Sequence, residues 1–271
     1  MLRVTTRNAT FQQWQALLTS RAKRHRAGEF LVQGVRPIGM AIEHGWRIRA
    51  LLYPAGRPLS GWTAQTLERV DSTRVAMAPE LLQELGGKSS EEAPELLAVV
   101  ELPPDDLARI PLGTASLTLV FDRPGTPGNI GTLIRSADAF GASGVIVTGH
   151  TADPYDPKAV RASTGSLFAV PVVRAPSHRE VLARIDGARF DGGVQIVGTD
   201  EDGDLDVADV DYTVATLVVI GNETRGMSEG WRLACDRVAR IPITGAASSL
   251  NAAAAATVVL YEAARQRRDQ V

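Results

Sequence analysis

The sequence predicts an α/β protein. A larger C-terminal domain is built on a mostly parallel sheet, and a smaller α/β domain precedes it. Three observations carry this. Short apolar runs alternate with helix-like segments along most of the 271 residues. The C-terminal runs are unbroken rather than alternating, as in strands covered on both faces. A proline-rich, acidic stretch, ELPPDDLARIPLG at 101–113, separates the halves. The expected layout is therefore a domain over 1–101, a linker over 102–113 and a second domain over 114–271.

Gln12–Ser20 reads as a helix, followed by the basic run Arg21–Arg26. GEFLVQG reads as a strand with Phe30 and Val32 on one face and Leu31 and Gln33 on the other. Ile38–His44 is helical and stops at Gly45; Ile48–Tyr53 is a strand and stops at Pro54. Val75–Met77, the helix Pro79–Leu85 and the strand Leu96–Val100 complete the first domain. In the second, strands are expected at Leu117–Phe121, Gly144–Gly149, Gln195–Thr199 and Thr216–Ile220. Helices are expected at Ile130–Phe140 and Leu250–Arg268. Asp200–Asp211 holds seven acids in twelve residues. It lacks the closing Glu and spacing of an EF-hand, so it reads as a solvated loop.

Apolar residues make up 44% of the chain and charged residues 22%, ordinary globular values. The single Cys, Cys235, forms no internal disulfide, and His25, His44, His150 and His178 are scattered, so no metal site is expected. The N-terminal stretch lacks the apolar core of a secretory signal, and the longest apolar run, near Ala252–Tyr261, is too short for a bilayer. A cytoplasmic protein is expected.

Net charge is −2, which argues against a polyanion partner until it is partitioned. Residues 1–50 hold nine Arg and Lys against Glu29 and Glu43, a local +7, leaving −9 for the rest. Arg21, Lys23, Arg24 and Arg26 are candidate phosphate contacts, against the blander reading of a solvated face. Phe11, Trp14, Phe30 and Trp46 lie in apolar patterns and read as core rather than base-stacking residues.

Three loops next to buried strands carry the candidate chemistry, since ligands bind beyond the carboxyl ends of strands in open α/β sheets. The first, FDRPGTPGNIGTLIRSADAFGASG (121–144), sets Asn129 near a helix N-terminus and Arg135 six residues on. Taken alone, Arg135 reads equally as an ordinary surface cation. The second, LVVIGNETRGMSEG (217–230), runs from a strand into Gly221 and Glu223; its plain reading is a turn with Ser228 as N-cap. The third, IPITGAASSLNAAAAATVVLYEAARQR (241–267), places Ser248, Ser249 and Asn251 before an Ala-rich helix. No GxGxxG fingerprint is present, which counts against a nucleotide-dependent oxidoreductase.

In this order the loops resemble the three signature motifs of the SpoU (TrmH-type) branch of the SPOUT RNA methyltransferases, over about residues 116–267. DPKAVRASTGSLFAVPVV (156–173) is similar to a fourth family stretch, and the segment from RNATFQQWQALL to GEFLVQGVRPI resembles its ribosomal-protein-like substrate-binding domain. The resemblance implies a deep trefoil knot, bound S-adenosylmethionine (AdoMet) and a homodimer with sites built from both subunits. It implies methyl transfer to an RNA ribose 2′-OH, most closely that of a 23S rRNA uridine. Transfer RNA as substrate and a non-catalytic RNA-binding assembly factor are the alternatives. By the same resemblance Asn129, Arg135, Glu223, Ser249 and Asn251 are the polar active-site residues. Thr199, Gly221, Asn222, Ile241, Ile243 and Leu250 hold the cofactor, and Lys158 and Arg161 join the RNA-binding cations. One departure is visible: where the family usually has Val-Ser after SLN, this chain has Ala252-Ala253.

Overall fold

A computed structural model describes residues 2–87, 94–149, 152–187 and 193–268. It forms two compact units, one of residues 1–103 with 155–169, the other of 104–154 with 170–271.

The first unit opens with β1 (Leu2–Val4) and α1 (Ala9–Thr19), where the Asn8 carboxamide oxygen accepts the Phe11 N–H at 3.0 Å. The basic run folds as its own helix, α2 (Arg21–Ala27), begun by the Ser20 hydroxyl and closed by Gly28 at φ 65°. Then follow β2 (Glu29–Gln33), α3 (Val35–Glu43), β3 (Ile48–Pro54), α4 (Gly61–Arg69), β4 (Thr73–Met77), α5 (Pro79–Gly86) and β5 (Leu97–Glu101). The sheet order is β1-β4-β3-β5-β2; β1, β4 and β3 run parallel, and β5 is antiparallel to both its neighbours. Phe11, Trp14 and Leu17 of α1 pack with Leu31, Leu52, Val75 and Leu97 on one face. These α1 aromatics are core, as the apolar pattern predicts.

The second unit begins earlier than the expected linker ends. Ile110 is 1% exposed and packs with Val120 and Ile146, and Arg109 donates to the Pro104 and Val172 carbonyls. Residues 104–113 are thus part of the unit, because their apolar members find a core to enter. β6 (Leu117–Asp122), α6 (Pro127–Ala139) and β7 (Gly144–Thr148) follow. The chain then contributes α7 (Pro157–Ser163) and α8 (Ser166–Ala169) to the first unit. Tyr155 and Phe168 pack against Phe30, with ring centroids 5.0 and 6.3 Å away, and Trp46 stands edge-on to Phe168 at 5.1 Å. This differs from the expectation that 114–271 is one body. It also explains why Phe30, Leu31 and Val32 are all buried on an edge strand: α1 side chains cover one face and these rings the other.

β8 (Val172–Ala175), α9 (His178–Asp186), β9 (Gln195–Thr199), β10 (Leu205–Asp206), β11 (Thr216–Ile220), α10 (Glu229–Ala234), β12 (Arg237–Arg240) and α11 (Ala252–Arg268) complete the second unit. Its seven strands lie in the order β10-β12-β9-β11-β6-β7-β8, all parallel. Register sets the site. Ile220 pairs with Phe121, Val219 with Gly198, and Ala239 with Thr199, so β6, β11, β9 and β12 end at one edge. The loops after all four emerge there.

Asp200–Asp211 is not a free acidic loop. Val207 and Val210 are buried, Leu205–Asp206 adds a strand, and Asp206 pairs with Arg240 at 2.8 Å. Among the described residues no helix is long and apolar enough to cross a membrane, and no group of three or more His, Cys, Asp or Glu is placed to hold a metal; His150 lies outside the described residues.

Candidate active site

At that shared edge the second unit opens a cavity of about 990 Å³. Thr199, Gly221, Asn222, Ile241, Ile243 and Leu250, the expected cofactor residues, all line it, together with Glu223, Ser248 and Ser249. Much of the wall is backbone. A Cβ on Gly221 would lie 2.5 Å from the carbonyl carbon of Gly226 and the nitrogen of Met227, so only glycine lets these strands of chain approach. Asn222 and Gly226 exchange both backbone hydrogen bonds at 3.0 Å, closing a tight loop around Glu223. The Asn222 carboxamide oxygen accepts the Thr224 and Arg225 N–H groups, which fixes the loop from within.

Beside the cavity stands a chain of polar side chains. The Asn129 Nδ2 donates to Glu223 Oε1 at 2.6 Å, and Gly125 N–H donates to Glu223 Oε2 at 3.2 Å. Asn251 Nδ2 donates to Asn129 Oδ1 at 3.3 Å, while its own Oδ1 accepts the Ala253 N–H and starts α11. Residues from the first turn of α6 and from two loops, 94 and 122 positions away from Asn129, thus meet in one array. Arg135 lies six residues beyond Asn129 on α6, exposed, with no hydrogen bond or ion pair to this array among the described residues. It is not among the residues that line the cavity. Ser249 is exposed on the cavity wall. Ser228 precedes α10 as expected, although its hydroxyl makes no cap hydrogen bond; its N–H instead donates to Asp122.

Three wall residues escape a reading by motif. Asp200 and Arg232 form a 2.5 Å ion pair on the cavity wall, and Glu201 adjoins them. The acids at the end of β9 signal a ligand edge only once β9 is known to neighbour β11 and β12. Cys235 is no nucleophile here: burial, with Asp236 beside it, pushes its thiol up to about 11.

The candidate RNA cations divide differently. Lys23 and Arg26 are exposed on α2, Arg21 is half-buried there, and Lys158 and Arg161 are exposed on α7 in the same unit. Arg24 is a correction. It is 2% exposed, donates to the Leu17 carbonyl at 2.7 Å, and lies 3.6 Å from Asp156, the residue that caps α7. It ties the two basic helices together and presents no charge to solvent. The helical turn of α2 points this one cation of the run inward.

A parallel α/β sheet with a glycine-walled cavity at its carboxyl edge, flanked by an ordered carboxylate–carboxamide array, defines a protein that works on a nucleotide-sized ligand. The chain belongs to the SpoU rRNA methylase family, whose model matches residues 116–261; residues 8–98 match the SpoU L30e-like domain. It is 59% identical over 266 residues to the 23S rRNA (uridine(2479)-2′-O)-methyltransferase of Streptomyces viridochromogenes, covering 98% of this chain and 92% of that one. The structure of the SpoU methyltransferase AviRb from that organism, in complex with AdoMet, superposes with a TM-score of 0.93 at 59% identity, covering 97% of this chain and 99% of that one. An AdoMet-bound rRNA methyltransferase from Sinorhizobium meliloti superposes with a TM-score of 0.85 at 31% identity, covering 99% and 98%.

Proposed function

We propose that this chain is an AdoMet-dependent methyltransferase acting on the ribose 2′-OH of a 23S rRNA uridine, as a cytoplasmic homodimer whose second unit carries the trefoil knot of its family. The observation that carries the reading is the Asn129–Glu223–Asn251 array set beside the cavity. The relatives named above support it. The cavity fits the cofactor: its size lies in the range of small-molecule sites, and its wall mixes exposed backbone with Ile220, Ile241, Ile243 and Leu250. When bound, AdoMet supplies an electrophilic methyl group.

The chain's own work is positioning and charge. Backbone groups of Gly221 and Asn222 and the apolar wall hold the cofactor, and fixing two reactants in line is worth up to roughly 7–11 kcal/mol. A ribose hydroxyl attacks poorly until its proton leaves. Glu223, held by Asn129 and Gly125, has a fixed orientation from which to order the hydroxyl or a water. Arg135 offers a planar, forked guanidinium that binds the ribose or its phosphate and stabilises the developing alkoxide.

Arg135→Ala should lower methyl transfer at least about a hundredfold while AdoMet binding, read by titration calorimetry, persists. Near-normal turnover removes Arg135 from the chemistry. The substrate is tested by primer extension on 23S rRNA at low deoxynucleotide concentration, with and without the protein and AdoMet. A new stop at one uridine is expected; stops absent from rRNA and present on tRNA would reassign the substrate.

A further inference from the structure

Arg123 is one of two non-glycine residues with positive φ among the described residues, at 52°. L side chains rarely adopt that conformation, and it persists only where surroundings enforce it. Two of the enforcing contacts run to the loop that walls the cavity, and two to the ends of the neighbouring strands. The Arg123 carbonyl accepts Asn222 Nδ2 at 2.6 Å, and its Nη2 donates to the Gly226 carbonyl at 3.2 Å. Its Nε donates to Asp122 Oδ2 at 3.1 Å, and its N–H donates to the Thr148 carbonyl at 3.0 Å. Asp122 is 3% exposed and fully engaged, since Thr148 Oγ1 donates to its Oδ1 and the Ser228 N–H to its Oδ2 at 2.7 Å.

One residue therefore grips the loop at Asn222 and at Gly226, the two positions whose backbones pair with each other. Ser228, just beyond, is held through Asp122. Between the two gripped points lies Glu223, and just before them Gly221. The left-handed turn is what lets the carbonyl and the guanidinium of a single residue both serve the same loop. An extended residue at 123 would send its carbonyl elsewhere and leave the Asn222 amide without this acceptor.

We propose that Arg123 is a positioning residue for the cofactor: it acts through Asn222 and Gly226 to hold the Gly221–Gly226 wall in its binding shape. It lines no part of the cavity itself and touches no reacting atom. The inference rests on the cavity being the AdoMet site, as proposed above. The forked guanidinium matters because it reaches Asp122 and Gly226 at once, which an ammonium group cannot reproduce.

The test uses the full chain with Arg123→Lys and Arg123→Gly. Lysine keeps the charge beside Asp122 and loses the fork; glycine relaxes the backbone and loses both. Two measurements apply to each: AdoMet titration calorimetry, and amide hydrogen exchange of Thr224–Met227 without cofactor. The expected result is an AdoMet Kd raised about tenfold in both variants, the size of one lost charged hydrogen bond. Turnover at saturating AdoMet should change less than about threefold, and loop exchange should quicken while Arg123→Lys melts near the wild type. A Kd within about twofold of wild type in a folded variant overturns the proposal, as does unaltered loop exchange or full rescue by lysine. Failure of the wild-type chain to bind AdoMet overturns the cofactor reading instead, and the exchange experiment still decides whether Arg123 holds the loop.

Discussion

Tyr212 shows how little a buried polar atom needs to contribute to be retained. Its side chain is 0% exposed, and its hydroxyl has no hydrogen-bond partner among the described residues. Burial first, and the Glu262 carboxylate second, push its phenol above the ordinary value, so it stays neutral at any working pH. An unpaired buried hydroxyl costs about 1–3 kcal/mol, so Tyr212→Phe should leave stability unchanged or raise it by about 1 kcal/mol. A thermal melt decides; a lowered midpoint would mean that the hydroxyl has a partner. The residues of the site were more legible than this one. Asn129, Glu223 and Asn251 are legible through the resemblance of their loops to the SpoU motifs, because each loop taken alone also suits an ordinary turn or helix cap. Arg24 was not legible, because a run of cations does not reveal which one faces inward. Nor was Arg123, whose role depends on a backbone turn and on partners 99 and 103 residues away. The Ala252-Ala253 departure has a structural setting: both side chains are buried, and the Ala253 carbonyl accepts the Thr257 hydroxyl, which also meets Ser136 Oγ at 2.7 Å.

Elements with unbroken apolar runs, such as β6 and β11, were visible in the sequence; β12 (Arg237–Arg240) was not, since two of its four residues are exposed arginines. It is recruited by pairing with β9 and β10, a tertiary effect that local pattern does not encode. The end of α11 shows a second such effect. Arg267 donates to the carbonyls of Tyr212, Ser116 and Val214 at 2.8, 3.3 and 3.0 Å, clamping the helix C-terminus over the starts of β6 and β11. Arg267→Met keeps the apolar stem and orphans these acceptors. We expect a loss of about 2–3 kcal/mol in denaturant melts, from several charged hydrogen bonds removed together; a change below about half a kcal/mol would show the clamp to be incidental. In the other unit, Glu29 of β2 stands opposite Glu101 of β5. Its carboxyl lies above the usual 4.5 because burial disfavours the charge; Arg49 pulls it down, and Glu101 pushes it up again. A carboxyl raised in the folded state favours folding at acid pH, and that contribution fades as pH rises through its folded value. Glu29→Gln should therefore raise the melting midpoint at pH 7, with the gain vanishing toward pH 4. A gain equal at both pH values would point to packing rather than charge.

Over the whole molecule the charge is asymmetric, and that asymmetry makes a quantitative claim about RNA. The net −2 conceals +7 in the first fifty residues. The structure removes Arg24 from the exposed set and brings α7, with Lys158 and Arg161, into the same unit as α2. If Lys23, Arg26, Lys158 and Arg161 each neutralise a phosphate, each releases counterions on binding, and each contributes about 0.7–0.9 to the slope of log affinity against log salt. Replacing all four with Ala should flatten that slope by about 3, measured by filter binding of an rRNA fragment across a salt series, and should weaken binding most at low salt. The matched control is Arg24→Ala. Because Arg24 bonds the Leu17 carbonyl and faces Asp156 from a buried position, its loss should lower the melting midpoint and leave the salt slope of the folded protein unchanged. If the slope stays steep after the quadruple change, RNA is held by other cations. If Arg24→Ala flattens it instead, the buried arginine opens outward to meet the substrate.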